Sequence, residues 1–369
     1  MSAHLDAILA GRSICICVGS GGVGKTTTSA AIAVAMANRG LKVAVLTIDP
    51  ARRLADSIGL EELGNEPSRV EAGDLPGGGE LWAMMLDPKA TFDEVIQRYS
   101  PDEEARRRIV ENRIYQQISG ALAGSQEYMA MEKLYELDEG GEFDLLILDT
   151  PPSRNALDFL DAPRRVTQFV EGRAMRLFIR PTGFGARIAG RGFSVVSSVL
   201  RRVTGGDLIA DLSEFFSAMA VLLGGFRDRA ERVEGLLRDE RTTFLIVTGP
   251  ARGPIEEAGY LRGKLDEGDL PLGAVVVNRV HSTSGPGEDA ADTGEELGRV
   301  IADEDLVERI LAAHAARGLL AERDRENVAA LRAGSPGVPV FEVPELSDEI
   351  HDLDGLREFA HLLMPANGS

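Results

Sequence analysis

The chain has 369 residues, of which 44% are hydrophobic and 27% are charged, a composition typical of a folded protein rather than of a disordered or fibrous one. Its 40 Lys and Arg against 59 Asp and Glu give a formal net charge of -19, which argues against nucleic acid as a ligand because the phosphate backbone is itself a polyanion. No apolar run approaches the roughly 20 residues of a membrane-spanning helix, and the first residues lack the pattern of a secretory signal. We therefore expect a cytoplasmic protein whose two cysteines, Cys15 and Cys17, are reduced core residues.

The N-terminal part alternates apolar runs with a helix-like segment. Residues 13–18 form a short apolar run, residues 25–39 are rich in alanine and predict a helix, and residues 41–48 form a second apolar run. This order predicts a βαβ unit with two buried parallel strands.

Further strands are predicted downstream, at residues 81–86, 143–148, 243–247, 273–277 and 338–343. Two long stretches, 88–139 and 164–239, lack a convincing strand and predict helices, and a Gly- and Arg-rich segment at 178–193 predicts a mobile loop. The expected fold is α/β, a doubly wound and mostly parallel sheet with an inserted helical subdomain. We expect the core to be built in three parts, interrupted by helical segments: core at 1–87, helices at 88–139, core at 140–163, a helical subdomain at 164–240, and core at 241–369.

A glycine-rich segment lies between the first predicted strand and helix. It runs Gly19-Ser20-Gly21-Gly22-Val23-Gly24-Lys25-Thr26 and fits the pattern G-x-x-x-x-G-K-[ST]. Backbone N–H groups of such a loop turn toward one phosphate, and the helix N-terminus adds partial positive charge. Lys25 would reach the β and γ phosphates, Thr26 would bind Mg²⁺ and Thr27 would contact the α phosphate. The segment predicts binding of Mg²⁺ and ATP through residues Gly21, Gly22, Val23, Gly24, Lys25, Thr26 and Thr27.

The same segment also fits G-x-G-x-x-G, through Gly19, Gly21 and Gly24, with Asp49 at the end of the next strand where a ribose-binding acid would lie. Under this alternative the chain would bind a dinucleotide. The alternative explains neither the Lys-Thr-Thr that follows the loop nor the Asp-Thr-Pro-Pro at residues 149–152. We therefore favour the phosphate loop, and the expected α/β sheet is that of a P-loop NTPase.

Two acidic residues at predicted strand ends complete a hydrolytic set. Asp149 ends the run 143–148, the usual position of a carboxylate that holds Mg²⁺. Asp49 ends the strand beside the phosphate loop, where it would position the attacking water, so Asp49 and Lys25 are the predicted catalytic residues. The alternative for either acid alone is a helix cap, which the presence of the loop disfavours.

Four segments carry a broader pattern: residues 21–27 (GGVGKTT), residues 49–56 (DPARRLAD), residues 143–153 (FDLLILDTPPS) with Leu157 and Leu160, and residues 275–279 (VVVNR). Together they resemble the ArsA family of ATPases, which includes arsenite-pump ATPases and the eukaryotic factor that targets tail-anchored membrane proteins. The resemblance implies that switch I begins at Asp49 and switch II at Asp149. It also implies that Asn278 contacts adenine and that Pro344 lines the base pocket.

The resemblance further implies a dimeric, ATP-hydrolysing switch that couples hydrolysis to a membrane-associated process, either anion transport or the handling of a hydrophobic client. Such a protein would be cytoplasmic and peripheral at the membrane. The family's usual loop has a lysine, at the position of Ser20 here, that reaches across the dimer interface. The partner would therefore be a second copy of this chain or a paralogue that carries the lysine, and Arg52 and Arg53 are either substitutes for its charge or surface residues.

Two further features narrow the function. The chain has no C-x-x-C pair for a zinc-bridged dimer and no cysteine outside the first strand, which disfavours sensing of As(III). The alternative function is a spatial-partitioning ATPase of the ParA or MinD kind, which shares the loop. Such proteins usually need a basic DNA-binding face or a terminal amphipathic helix, and the acidic composition and the interrupted C-terminal residues argue against both.

Overall fold

The computed structural model describes residues 4–48, 53–60, 62–71, 75, 77–113, 115–116, 126–151, 225, 228–282, 297, 299–301, 303–346 and 348–365. Several predictions from the sequence lie outside these residues. They concern Asp49, Arg52, the loop at 178–193 and nearly all of the helical subdomain at 164–240.

An eight-stranded sheet forms the centre of the described fold. In chain order its strands are β1 (Ile14–Val18), β2 (Lys42–Thr47), β3 (Ser68–Arg69), β4 (Glu80–Met85), β5 (Leu145–Asp149), β6 (Thr242–Thr248), β7 (Leu272–Val280) and β8 (Val340–Pro344). Their order across the sheet is β3-β4-β2-β5-β1-β6-β7-β8, and all neighbours are parallel except β3 and β4. This arrangement confirms the predicted α/β fold with a mostly parallel sheet.

The sequence patterns located all the strands except β3. That strand has two exposed residues and pairs antiparallel with β4 at the edge of the sheet. Two residues are too few to show either the alternation or the apolar run by which a strand is recognised. The prediction of seven strands was therefore short by one edge strand.

Helices cover both faces of the sheet. They are α1 (Leu5–Leu9), α2 (Lys25–Asn38), α3 (Arg53–Ile58), α4 (Pro88–Tyr99), α5 (Glu103–Val110), α6 (Gln126–Gly140), α7 (228–238), α8 (Arg252–Glu267), α9 (Glu304–Gly334) and α10 (Leu353–Leu363). Three of them, α4 to α6, occupy the stretch at 88–139 that was predicted to be helical. Helix α4 starts where Asp87 caps its first turn by accepting hydrogen bonds from the backbone N–H groups of Lys89 and Ala90.

Alternate residues of the central strands enter two separate cores, because successive side chains of a strand point to opposite faces. In β1, Ile14 and Ile16 face the layer that contains α4, α6, α8 and α9, whereas Cys15 and Cys17 face the layer of α2 and α10. Both cysteines are buried free thiols. The burial of β1 on both faces explains why its sequence is a continuous apolar run.

The carboxyl ends of the central strands lie together at one edge of the sheet. In the parallel register, Asp149 at the end of β5 is paired with Cys17 of β1 on one side and with Thr47 of β2 on the other. The loop after β1 and the ends of β5 and β2 thus meet at a single place. In open α/β sheets this edge is where ligands bind.

Candidate functional site

The glycine-rich segment forms the connection between β1 and α2 that the sequence predicts. Gly24 precedes the first helical residue with a left-handed backbone (φ 92), which glycine adopts without steric cost. Lys25 is buried, and its Nζ atom donates a hydrogen bond of 2.9 Å to the backbone carbonyl of Ser20. The lysine side chain therefore folds back along its own loop, which places the cation at the loop.

Three polar side chains converge beside the start of α2. The hydroxyl of Thr26 donates to Oδ2 of Asp149 at 2.6 Å, and the hydroxyl of Thr47 donates to the same oxygen at 3.0 Å. Thr47 and Asp149 are buried, and the neighbouring Thr150 is held by a hydrogen bond from its hydroxyl to the carbonyl of Cys17. The structure thus brings the predicted metal ligands Thr26 and Asp149 into direct contact, and it adds Thr47, which the sequence analysis missed.

Asn278, near the end of β7, is tied to the phosphate loop. Its Nδ2 atom donates to the backbone carbonyl of Val23 at 3.0 Å, and its Oδ1 atom accepts from the backbone N–H of Arg279 at 2.9 Å. The side chain is buried. The Asn278 side chain therefore connects β7 to the phosphate loop.

A cavity of about 700 Å³ lies beside these groups. The predicted nucleotide-binding residues on its wall are Gly22, Gly24, Lys25, Thr26, Thr27, Asn278 and Pro344. Gly21, Val23 and Asp149 are not among the lining residues, and Asp49 lies outside the described part of the chain. The cavity thus joins the phosphate loop to the two residues predicted at the base, which are far from the loop in sequence.

The cavity wall also includes residues that the sequence analysis gave no role. They are Asp56, Ser57, Thr150, Arg279, Glu345, Leu346, Asp348, Glu349, Ile350, His351 and Phe359. Arg279 and Glu345 directly follow the predicted base-site residues Asn278 and Pro344, and this adjacency is the signal that could have found them. Asp56 and Thr150 lie in the segments 49–56 and 143–153 that carry the family resemblance, and no pattern in the sequence distinguishes the remaining residues from surface residues.

A chain of polar side chains continues from the cavity wall into α9. Nε2 of His281 lies 3.6 Å from Glu345, and its Nδ1 lies 2.6 Å from Oδ2 of the fully buried Asp324, which also pairs with Arg323. Burial alone would raise the pKa of Asp324, but hydrogen bonds from His281 and Arg323 outweigh burial and hold the pKa below its usual value. The buried carboxylate is therefore kept ionised and fixes His281 beside the cavity.

A glycine-rich turn between a parallel strand and a helix, with a lysine and a threonine at the helix start and an aspartate at the adjacent strand end, defines a P-loop nucleotide-binding protein. The family model described as "Anion-transporting ATPase" matches residues 12–286. The chain belongs to this family. The match confirms the resemblance seen in the sequence and favours it over a dinucleotide enzyme or a partitioning ATPase.

Individual relatives agree with this assignment. The chain is 28% identical over 269 residues to "ATPase ARSA1" of Chlamydomonas reinhardtii, with 66% of this chain and 32% of that protein covered. It is 28% identical over 267 residues to "ATPase GET3B" of Arabidopsis thaliana (66% and 58% covered) and 30% identical over 244 residues to "ATPase GET3" of Mycosarcoma maydis (64% and 63% covered). The matched region thus spans between a third and two thirds of the length of these relatives.

Among the described residues, no helix is both long enough and apolar enough to cross a membrane.

Proposed function

We propose that this chain binds Mg²⁺ and ATP in the cavity beside α2 and hydrolyses the nucleotide as a conformational switch. The observation that carries the proposal is the 2.6 Å contact between Thr26, at the start of α2, and Asp149, at the end of β5. A hydroxyl at the loop and a carboxylate at the adjacent strand end are the pair that P-loop proteins use around a nucleotide-bound Mg²⁺. The family membership supports the same conclusion.

The donor set fits Mg²⁺, a hard cation that prefers oxygen ligands. Thr26 would hold the ion through its hydroxyl and Asp149 through its carboxylate. Bound there, the ion would neutralise charge on the β and γ phosphates. Thr47 would keep Asp149 oriented through the hydrogen bond that it already donates.

The remaining loop residues would bind and orient the triphosphate. Lys25 is a cation that would exchange its hydrogen bond with the Ser20 carbonyl for phosphate oxygens. The N-terminus of the 14-residue helix α2 adds partial positive charge. Asp49 stays a prediction, as the residue that positions the attacking water.

We propose that the same cavity also holds the adenine base. Pro344 offers an apolar surface there, and Asn278 offers an amide whose second N–H is available in addition to the one bonded to Val23. Both residues line the same cavity as Lys25 and Thr27. One cavity would therefore hold the phosphates and the base together.

The output of the switch is proposed from the family description and from the resemblance in the sequence. Hydrolysis would drive a membrane-associated process, either anion transport or the handling of a hydrophobic client, in a protein peripheral at the membrane. A homodimer, or a heterodimer with a paralogue that carries the lysine absent at Ser20, would be the active form.

The test is nucleotide binding and turnover of the full chain and of Lys25→Ala, measured by calorimetry and by phosphate release. We expect the wild type to bind ATP in a Mg²⁺-dependent way and Lys25→Ala to lose binding, because the variant lacks the cation of the loop. Lys89→Ala, which removes a half-exposed lysine paired with Asp93 on α4, is the matched control and should behave like the wild type. Equal ATP affinity in Lys25→Ala, or binding of NADH by the wild type, would refute the proposal.

A further inference from the structure

Arg279 has an unusual backbone conformation at the cavity. Only Arg279 (φ 63) and Asp269 (φ 54) are non-glycine residues with positive φ in the described ranges. Such a conformation is costly for a residue with a β-carbon, and it persists where the surroundings hold it in place. Here the Oδ1 atom of Asn278 accepts the backbone N–H of Arg279 at 2.9 Å, while Nδ2 of the same side chain is bonded to the phosphate loop.

This conformation presents the arginine side chain to the loop. Its Nη1 atom lies 3.5 Å from the carbonyl oxygen of Gly22, at the long end of the range for a hydrogen bond. The side chain is exposed and lines the cavity together with Lys25. None of the ion pairs found among the described residues includes Arg279, although most arginines in that part of the chain have a carboxylate partner.

The guanidinium of Arg279, beside the loop predicted to bind phosphate, is suited to bind phosphate oxygens. It presents five N–H donors in a planar fork that suits phosphate oxygens, and it is charged at every physiological pH. The cavity wall also carries Glu345, Asp348 and Glu349, which would repel a polyanion, and a second cation beside Lys25 would help to balance them.

We propose that Arg279 is a phosphate-binding residue of the nucleotide site, supplied by the same chain as the loop. The inference rests on the proposed function, because it assumes a nucleotide in this cavity. Arg279 would hold the phosphates from the outer edge of the loop at Gly22, and Asn278 would position it by holding its backbone. The alternative role is stacking of the guanidinium on the base, and the experiment below distinguishes it from phosphate binding.

The test uses Arg279→Gln, which keeps the length of the side chain and removes its charge. The dissociation constants of ATP, ADP and AMP are measured by competition against a fluorescent ATP analogue. We expect ATP binding to weaken by about tenfold, in line with the loss of one charge-assisted hydrogen bond, and we expect ADP and then AMP to lose progressively less. The effect on ATP should shrink as salt is raised, since a phosphate contact at an exposed side chain is screened.

Arg252→Gln is the matched control, because it makes the same change in net charge at an exposed arginine on α8 that pairs with Glu256. It should leave all three affinities within about twofold of the wild type. An equal loss for ATP, ADP and AMP in Arg279→Gln would overturn the phosphate role in favour of base stacking, and unchanged binding would overturn any ligand role. Failure of the wild type to bind ATP would instead refute the proposed function itself.

Discussion

The side chain of Asn278 fills the space in which a β-carbon on Gly24 would lie: its Nδ2 atom would be 2.2 Å from that carbon. The two residues come from opposite ends of the nucleotide-binding core, yet they are in contact because β7 and the phosphate loop meet at the same edge of the sheet. Two constraints therefore require a glycine at position 24: the left-handed backbone and the contact with Asn278. Gly22 shares only the first constraint, since no atom of the described residues other than its own chain neighbours lies within 4 Å of the β-carbon it would carry.

This difference predicts unequal effects of two alanine substitutions. Gly22→Ala should lower the free energy of unfolding by about 1 to 2 kcal/mol, the cost of a left-handed alanine. Gly24→Ala should lower it by more, because either Asn278 or the loop must also move. Urea unfolding without nucleotide measures both, and equal losses in the two variants would show that Asn278 yields without cost.

Substitution of the two strand-end acids should separate binding from turnover. Asp149→Asn should weaken the Mg²⁺ dependence of ATP binding and lower hydrolysis, because an amide is a poor ligand for the ion but still accepts the bond from Thr26. Asp49→Asn should leave binding near that of the wild type and lose most of the turnover, because only water positioning is removed. Calorimetry with and without Mg²⁺ and a phosphate-release assay test the pair. Full turnover in Asp49→Asn would assign that residue a purely structural role.

The residue at position 20 offers a test of the dimer. A cation that acts in trans during phosphoryl transfer is worth about 10³ to 10⁵ in rate, so the wild-type chain alone should hydrolyse ATP slowly and Ser20→Lys should accelerate it measurably. Ser20→Ala is the control, since the Ser20 hydroxyl is buried without a hydrogen-bond partner among the described groups, while the carbonyl that serves Lys25 is kept. Rapid turnover by the wild type that Ser20→Lys leaves unchanged would contradict the need for a lysine-bearing partner.

The buried carboxylate of Asp324 should make stability depend on pH. Because its pKa is lower in the folded protein, it stabilises the fold above its ordinary pKa of about 3.9, and that contribution disappears as the pH falls through the folded value. Asp324→Ala should lower the free energy of unfolding at pH 7 by about 1 to 3 kcal/mol, since His281 loses its partner. The difference in free energy of unfolding between Asp324→Ala and the wild type should become smaller below pH 4.

Urea unfolding between pH 7 and pH 3 checks this prediction. The control is Glu322→Gln, an exposed acid on the same helix that pairs with Arg325. Its free energy of unfolding should stay close to that of the wild type. A deficit in Asp324→Ala that is constant across the whole pH range would contradict the prediction, because it would trace the loss to packing rather than to charge.

Much of the core could be predicted because the signals are local. Strands buried on both faces appear as continuous apolar runs. A glycine loop followed by Lys25 and Thr26 indicates, within a few residues, both a tight backbone turn and the binding of a phosphate group. The closeness of Thr26 and Asp149 agrees with the prediction that both bind one Mg²⁺, since the loop after β1 and the end of β5 meet at one carboxyl edge of the parallel sheet. The edge strand β3 was missed because two residues are too few to show the alternation of apolar and polar residues that identifies a strand.

The sequence by itself determined a parallel α/β core, a phosphate loop after β1 and an acid at the end of β5, since each depends on a short stretch of chain. Only the tertiary structure decided which distant side chains complete the site. Thr47 bonds to Asp149 across 102 positions because β2 lies beside β5, and Asn278 bonds to Val23 across 255 positions because β7 ends beside the loop. Strand order sets these contacts, and it depends on pairing between segments that are far apart in the chain rather than on any one segment.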